Sequence, residues 1–385
     1  MLNTKNFMKK VKVLFAIGRL TVGGGEKLLV YQLRHLSEEK FEPYLLTLFP
    51  EKEESFSDLV KSYFATEVRL QNIKPFPWKQ LNFRGLFDLS SWLELRHFLK
   101  KEKFDVVVTS LFSANLMVRL ALLFSVRPKV LISYEHNIYR DKHRWQIWLD
   151  WFLAGFTDKI IVDAESVKQF TAKQEGIPAD KFLVMHIPPL SDRGEVGLLN
   201  GSPTSTDKVI LTVSRLVEEK GHIYLIRAAK EVIKSFPNAK FIIVGWGHLE
   251  QSLKEEVKKL GLENNVKLLG KRDIAEVLPL ADIYVEPALS VDIGIASMEA
   301  MVQGLPMVST NVGEMPVFVK DGENGFLVPP ADSSALAEKI LMLLRDDTLR
   351  KKMGESSKKR VKDFTFDKYM QRFEDIILSL INREL

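Results

Sequence analysis

Short apolar runs, each followed by a stretch of helical periodicity, recur along this chain in two sets. The first set reads VKVLFAIG, YLLTLF, VVVTSL, KVLISYEH and KIIVDA, with helical patterns such as EKLLVYQLRHLSEE and FDLSSWLELRHFLKKEK in between. The second reads KVILTVSRL, AKFIIVGWG, VKLLG, DIYVEPA, LPMVSTN and GFLVPP. Runs of β-branched residues without polar alternation are buried on both faces, and their alternation with amphipathic helices is the mark of a parallel sheet covered on both sides. Between the sets lies SDRGEVGLLNGSPTSTD, which is rich in Gly, Ser, Thr and Asp and has no period. The expected organisation is therefore α/β: a doubly wound, Rossmann-like domain over residues 1–190, a linker at 191–207 and a second such domain over 208–365. The last stretch, FDKYMQRFEDIILSLINREL, places Tyr369, Phe373, Ile376, Ile377 and Leu380 on one helical face, which must be covered by its own domain or by the first.

At 385 residues the chain is long enough for two cores. It has no cysteine, which excludes disulfides, thiolate metal sites and a thiol nucleophile. With 55 Lys and Arg against 50 Asp and Glu, the excess of positive charge is spread too thinly for a nucleic-acid binder, though it suits an anionic ligand or membrane surface. The apolar run near the N-terminus has no small-residue cleavage site after it and reads as a first strand. No run reaches the roughly 18 apolar residues of a membrane span. A cytoplasmic protein, soluble or peripheral at the inner face of a membrane, is expected. The run RWQIWLDWFLAGF offers a second route to a membrane. Its Trp145, Trp148, Leu149, Phe152 and Phe156 follow helical spacing, however, and core packing is the expectation.

In doubly wound sheets ligands bind beyond the carboxyl ends of the strands, so the residues just past each strand carry the chemistry. GRLTVGGGEK sets Gly23, Gly24 and Gly25 before a helix, where backbone can approach an anion closely. The spacing G-x-G-x-x-G is absent, which argues against a nicotinamide site. His136 follows a strand immediately. Arg215 and Lys220 flank a short loop before Gly221, a pair that suits one phosphate-rich group or an ordinary basic surface. Gly245 and Gly247 end another strand, and Gly270, Lys271 and Arg272 a third. In SVDIGIASMEAM a lone acid, Glu299, sits among apolar residues with Asp292 upstream, either on a solvated face or facing a polar ligand.

Taken together, SRLVEEKGHIYLIRAAKEV, FIIVGWG, LPLADIYVEPA and SMEAMVQGLPMVSTNVGEMPVFVKDGENGFLVPP resemble the C-terminal motifs of the group 1 (glycogen-synthase-like, family 4) retaining glycosyltransferases of the GT-B fold. The glycine loop and the post-strand histidine resemble those of the N-terminal domain of that family. The resemblance implies two domains facing across a cleft, with residues 366–385 crossing back to the first. It implies a hexosyltransferase that takes a nucleotide-diphosphate sugar, a UDP-sugar first and a GDP-sugar second, to a glycan or lipid-linked acceptor in polysaccharide biosynthesis. In that reading Arg215 and Lys220 hold the diphosphate, Glu299 the ribose, and Gly24, with Gly25 beside it, lets the loop approach the phosphate and sugar. His136 lies beside the sugar ring, and Arg272 and the Gly245 turn mark the nucleotide pocket. The amides around Gly294 and Ile295 add donors to the phosphates. Fixed cations and amides would meet the leaving-group charge, so no metal and no further cofactor is expected. The family pairs its Glu with another seven intervening residues upstream; here that position is Val291, and Asp292, one place on, would touch the sugar or cap the helix. The alternative is a degenerate member that binds nucleotide or a partner without transfer. An epimerase or phosphorylase would need groups that do not stand out here.

Overall fold

The computed structural model describes residues 9–20, 24–50, 76–136, 139, 142–189, 207–290 and 294–383. The chain divides into two compact units, Met1–His186 with Asp367–Leu385, and Ile187–Phe366. Apart from Asp207, the segment 191–207 lies outside the described residues.

The first unit is a seven-stranded parallel sheet in the order β3-β2-β1-β4-β5-β6-β7. Its strands are β1 (Val11–Ile17), β2 (Phe41–Thr47), β3 (Trp78–Gln80), β4 (Val106–Ser110), β5 (Val130–Glu135), β6 (Lys159–Val162) and β7 (Phe182–Val184). The helices are α1 (Gly24–His35), α2 (Leu89–Glu102), α3 (Leu111–Leu123), α4 (Arg144–Ala154) and α5 (Glu165–Glu175). Every residue of β4 and β5 is buried, as strands covered on both faces require. On one side Leu14, Leu46, Val107 and Leu131 pack on Leu95, Met117 and Val118 of α2 and α3.

The second unit repeats the plan with six parallel strands in the order β10-β9-β8-β11-β12-β13. They are β8 (Lys208–Val213), β9 (Ala239–Val244), β10 (Val266–Leu268), β11 (Ile283–Glu286), β12 (Met307–Thr310) and β13 (Gly325–Val328). Around them run α6 (His222–Ser235), α7 (Glu250–Lys259), α8 (Ile274–Val277), α9 (Ile295–Val302), α10 (Met315–Phe318), α11 (Ser333–Arg345) and α12 (Asp347–Val361). In both sheets the strand order reverses beside the first strand, between β1 and β4 and between β8 and β11. At such a switch point neighbouring loops diverge and leave a crevice for ligand.

The last helix, α13 (Phe366–Asn382), belongs to the first unit although it follows the second in sequence. Its buried face carries Tyr369, Met370, Phe373, Ile376 and Ile377. The Phe373 ring lies 6.1 Å from that of Phe15 in β1, and the Tyr369 hydroxyl accepts from Gln32 of α1 at 2.9 Å and meets the hydroxyl of Tyr134.

Two features differ from expectation. Strands β3 and β7 are not among the runs read from the sequence: β3 (WKQ) has no aliphatic residue, and β7 (FLV) buries only the first of its three. The core packing expected for the tryptophan-rich helix is overturned. In α4 it is Asp150, Leu153 and Ala154 that are buried, whereas Trp145, Trp148 and Trp151 are each more than half exposed. The period identifies an apolar face but does not say what covers it.

Candidate active site

In the second unit the chain leaves β8 at Val213, passes Ser214 and the exposed Arg215, and makes one 3-10 turn, Glu218–Lys220. Gly221 closes that turn at φ 63°, in the left-handed region that glycine enters without strain. A Cβ there would stand 2.1 Å from the Pro287 carbonyl oxygen, so the loops after β8 and β11 touch backbone to backbone. The Leu289 amide completes the join by donating to the Glu219 carbonyl at 2.7 Å.

The loop after β9 is bound in the same way. The Leu216 amide donates to the Trp246 carbonyl at 2.8 Å, and a Cβ on Gly245 would lie 1.8 Å from the Ser214 carbonyl oxygen. The Gly245 amide donates to Gly270 at 2.9 Å, which draws in the loop after β10 and with it Lys271 and the exposed Arg272. The Lys271 ammonium lies 5.4 Å from the centre of the half-exposed Trp246 ring. Four strand-end loops thus form one backbone-bonded rim at the carboxyl edge of the sheet, and Arg215, Lys220, Gly245 and Arg272 all stand on it.

The loop after β11 leads towards α9, whose N-terminus follows Gly294 at φ 69°. Amides at a helix start lack intrahelical partners and favour an anion. Ile295 provides one of them. Ser297, Met298, Ala300 and Met301 are buried and hold α9 against the sheet, while Glu299 is half-buried. Val291 and Asp292 lie outside the described residues.

Sequence reasoning passed over His222. It is buried at the start of α6, with Nε2 3.0 Å from the Ser214 hydroxyl. Burial, helped by the nearby Lys220 charge, pulls its pKa down to about 4, so the ring is neutral near pH 7. It anchors the residue next to Arg215. Its only signal is position, directly behind the Lys220–Gly221 turn.

In the first unit His136 stands one residue past β5 and is buried. Its Nδ1 is 2.7 Å from Asp163 Oδ2, and its ring stacks on Tyr134 at 4.9 Å. Burial alone would lower the His136 pKa, but the Asp163 carboxylate, with Glu135 and Glu26 further off, outweighs it and raises the pKa. Asp163 follows β6 as His136 follows β5, a strand-end position of the same kind. Gly24 opens α1, and a Cβ on the next residue, Gly25, would lie 3.0 Å from His136 Cδ2. The glycine run and the histidine therefore meet, although Gly23 is outside the described residues.

Beside them is a cavity of about 380 Å³, lined by Gly18, Arg19, Glu26, Phe49, Leu111 and Ser113. It opens among the loops after β1 and β2, the first turn of α3 and Glu26 of α1. Leu111 has φ 67°, a conformation that costs a branched side chain about 1 kcal/mol or more and tends to occur at functional sites.

The two halves of the chain match different family models. Residues 22–187 match Glycosyltransferase Family 4, and residues 200–360 match Glycosyl transferases group 1. Among characterised relatives, a GalNAc-alpha-(1->4)-GalNAc-alpha-(1->3)-diNAcBac-PP-undecaprenol alpha-1,4-N-acetyl-D-galactosaminyltransferase of Campylobacter jejuni is 26% identical, over 97% of this chain and 99% of its own. An Escherichia coli UDP-Gal:alpha-D-GlcNAc-diphosphoundecaprenol alpha-1,3-galactosyltransferase is 25% identical, over 78% of this chain and 82% of its own. Among solved structures, Anabaena HepE in complex with UDP superposes with a TM-score of 0.77 at 20% identity, covering 96% of this chain and all of the other. A glycosyltransferase from Rickettsia africae gives 0.78 at 19% identity, over 97% and 99%. At these identities the superpositions speak for the fold.

Proposed function

Since the chain belongs to the group 1 glycosyltransferases of the GT-B fold, we propose that it moves a hexose from a nucleotide-diphosphate sugar to a lipid-linked glycan acceptor, with retention of anomeric configuration. The donor nucleotide is UDP, the ligand named for the Anabaena structure, and a diphosphoundecaprenol-linked acceptor is of the kind named for the Campylobacter and Escherichia relatives. A lipid-linked acceptor places the enzyme at a membrane surface, as a peripheral protein.

The observation that carries this reading is the glycine-locked rim of the second unit. Gly221 and Gly245 let carbonyl groups pack where a side chain would clash, which fixes the turn between Arg215 and Lys220. Arg215 lies exposed at its start and Lys220 half-buried at its end. A leaving diphosphate gains negative charge as the sugar departs, and cations already in place stabilise that charge without reorganising. Arg215 offers a fork of donors and Lys220 a point charge. The α9 amides add to them, and Glu299, two turns into α9 at most, accepts from the ribose hydroxyls. In the first unit His136 serves the sugar, with Asp163 fixing its tautomer, and the cavity at Arg19 and Ser113 receives the acceptor.

Thermal stabilisation by UDP, GDP, ADP and their sugars tests the donor assignment. A ligand at 100 times its dissociation constant adds about 2.7 kcal/mol, a shift of several degrees. UDP and a UDP-sugar are expected to produce it. Arg215→Ala is expected to weaken UDP binding by about 1.5–3 kcal/mol, the loss of a charged hydrogen bond. Unchanged affinity in the folded variant removes the phosphate assignment, and nucleotide binding without turnover on lipid-linked acceptors points to a non-transferring protein.

A further inference from the structure

The first unit exposes an aromatic face that nothing above employs. On α4, Trp145, Trp148 and Trp151 are 51%, 60% and 52% exposed, and Phe152 and Phe156 continue the same face. Trp148 stacks on Phe152 with ring centres 5.8 Å apart, and Phe152 meets Phe156 edge-on at 5.3 Å. Helix α4 packs beside α3, and α3 beside α2, on one side of the sheet. Where α2 and α3 meet, a groove of about 340 Å³ is lined by Leu89, Leu93, Leu120 and Phe124, with Arg96 at its edge. Phe124, Leu89 and Leu93 are themselves exposed, as is Phe87 just before α2. Single exposed apolar residues are ordinary on a soluble protein, but a run of five exposed aromatic rings on and just after α4, with an apolar groove between the neighbouring helices α2 and α3, is not.

We propose that this face docks the first unit onto an anionic phospholipid bilayer. The inference rests on the lipid-linked-acceptor reading above and assigns it a surface. Tryptophan is the residue that prefers the boundary between headgroups and acyl chains, where the ring is sheltered and the indole N–H stays wet. The indole N–H groups of Trp145, Trp148 and Trp151 make no hydrogen bond to any described residue, as suits that position.

Charge points to the same occupant. Arg96, Arg127 and Arg144 are exposed at the margin of the face, and Arg127 donates to the Phe156 carbonyl at 3.3 Å, beside the aromatic ladder. From Val106 to Tyr134 the chain has no Asp or Glu, and the exposed Glu94 of α2 is paired with Lys79 at 2.5 Å. The one acid of α4, Asp150, is buried and paired with Arg119 and Lys142 at 2.8 Å each, so it does not oppose anionic headgroups. Among the described residues no helix is long and apolar enough to cross a membrane. The seating proposed is peripheral, by insertion of rings at headgroup depth with basic residues around them.

Flotation of the full-length protein with phosphatidylglycerol-containing and pure phosphatidylcholine vesicles tests the proposal. Binding is expected to favour the anionic vesicles and to weaken at high salt. Replacing the three α4 tryptophans by serine is expected to lower vesicle partitioning at least about tenfold while stabilisation by UDP is kept. The milder pair Arg127→Glu and Arg144→Glu spares the rings and should also cost about tenfold on anionic vesicles only. Partitioning unchanged in both variants, or absent in the wild type, overturns the proposal. So does a wild-type dimer that the tryptophan variant converts to monomer with vesicle binding intact, since the face would then join two copies of this chain. Loss of vesicle binding with UDP stabilisation retained bears on the docking surface alone. A wild type that binds vesicles and is not stabilised by any nucleotide overturns the transferase reading instead.

Discussion

His222 shows how a single residue ties the site to the stability of the fold. Its pKa is near 4 in the folded protein, against an ordinary value near 6.5, chiefly because burial disfavours the charged ring. The unfolded chain therefore takes up a proton between those values that the folded chain refuses. The stabilising contribution is complete above about pH 6.5 and is lost as the pH falls towards 4, on the order of 3 kcal/mol in all. His222→Asn is expected to flatten the pH dependence of stability in that window, which denaturant unfolding at pH 5 and pH 7 would reveal. An unchanged slope would mean that the ring is not held neutral. Arg215, Lys220 and His136 were legible in the sequence because each follows a strand end, where ligands bind in this class of sheet. His222 and Asp163 were not singled out, since their importance lies in contacts of 3.0 Å to Ser214 and 2.7 Å to His136 that no spacing announces.

At the scale of elements, the site depends on loops that are fixed to one another rather than on any one motif. Gly245 and Gly270 make the contrast. Both have positive φ, 150° and 67°, but a Cβ on Gly245 would meet the Ser214 carbonyl at 1.8 Å whereas one on Gly270 meets nothing within 4 Å. Gly270→Ala is expected to cost about 1 kcal/mol, the price of a left-handed alanine. Gly245→Ala must also push the loop after β8 away, so it is expected to destabilise the second unit by about 2–3 kcal/mol and to weaken UDP binding. Calorimetry and titration with UDP on the two variants measure the difference, and equal effects on both counts would deny the rim its role. The sequence marked all six strands of the second unit, even the three residues of β10, and the glycines after β9 and β10, because aliphatic runs and turn residues have strong local signals. It missed β3 and β7, and it assigned the aromatic face of α4 to the core, because a hydrophobic period is the same whether protein, lipid or water lies opposite.

At the scale of the whole molecule, the C-terminal helix makes the first unit depend on residues beyond the second. The Glu374 carboxylate accepts from the Ser37 amide at 2.7 Å and meets Lys40 at 3.4 Å, while Tyr369 joins Gln32 and Tyr134 in a buried hydroxyl cluster. Burial pushes the pKa of both tyrosines up, so the cluster stays neutral across the ordinary range. Tyr369, Met370, Phe373, Ile376 and Ile377 are buried together on the helix face. At roughly 1.5–3 kcal/mol for each large apolar side chain, their removal rivals the 5–15 kcal/mol that holds a typical domain together. A chain ending at Phe366 is therefore expected to lose the cooperative unfolding of its first unit. The second unit, whose core cluster around Ile210, Phe241, Val285 and Leu343 includes no described residue after Phe366, should keep its own transition and its stabilisation by UDP. The single change Phe373→Ala, which opens a cavity beside Phe15, should lower only the first unit's transition, by about 3–5 kcal/mol. Scanning calorimetry with and without UDP separates the two transitions, because nucleotide moves only the unit that binds it. If the truncated chain keeps both transitions, α13 is an appendage to the first unit. If it loses both, the second unit draws on the first for its stability.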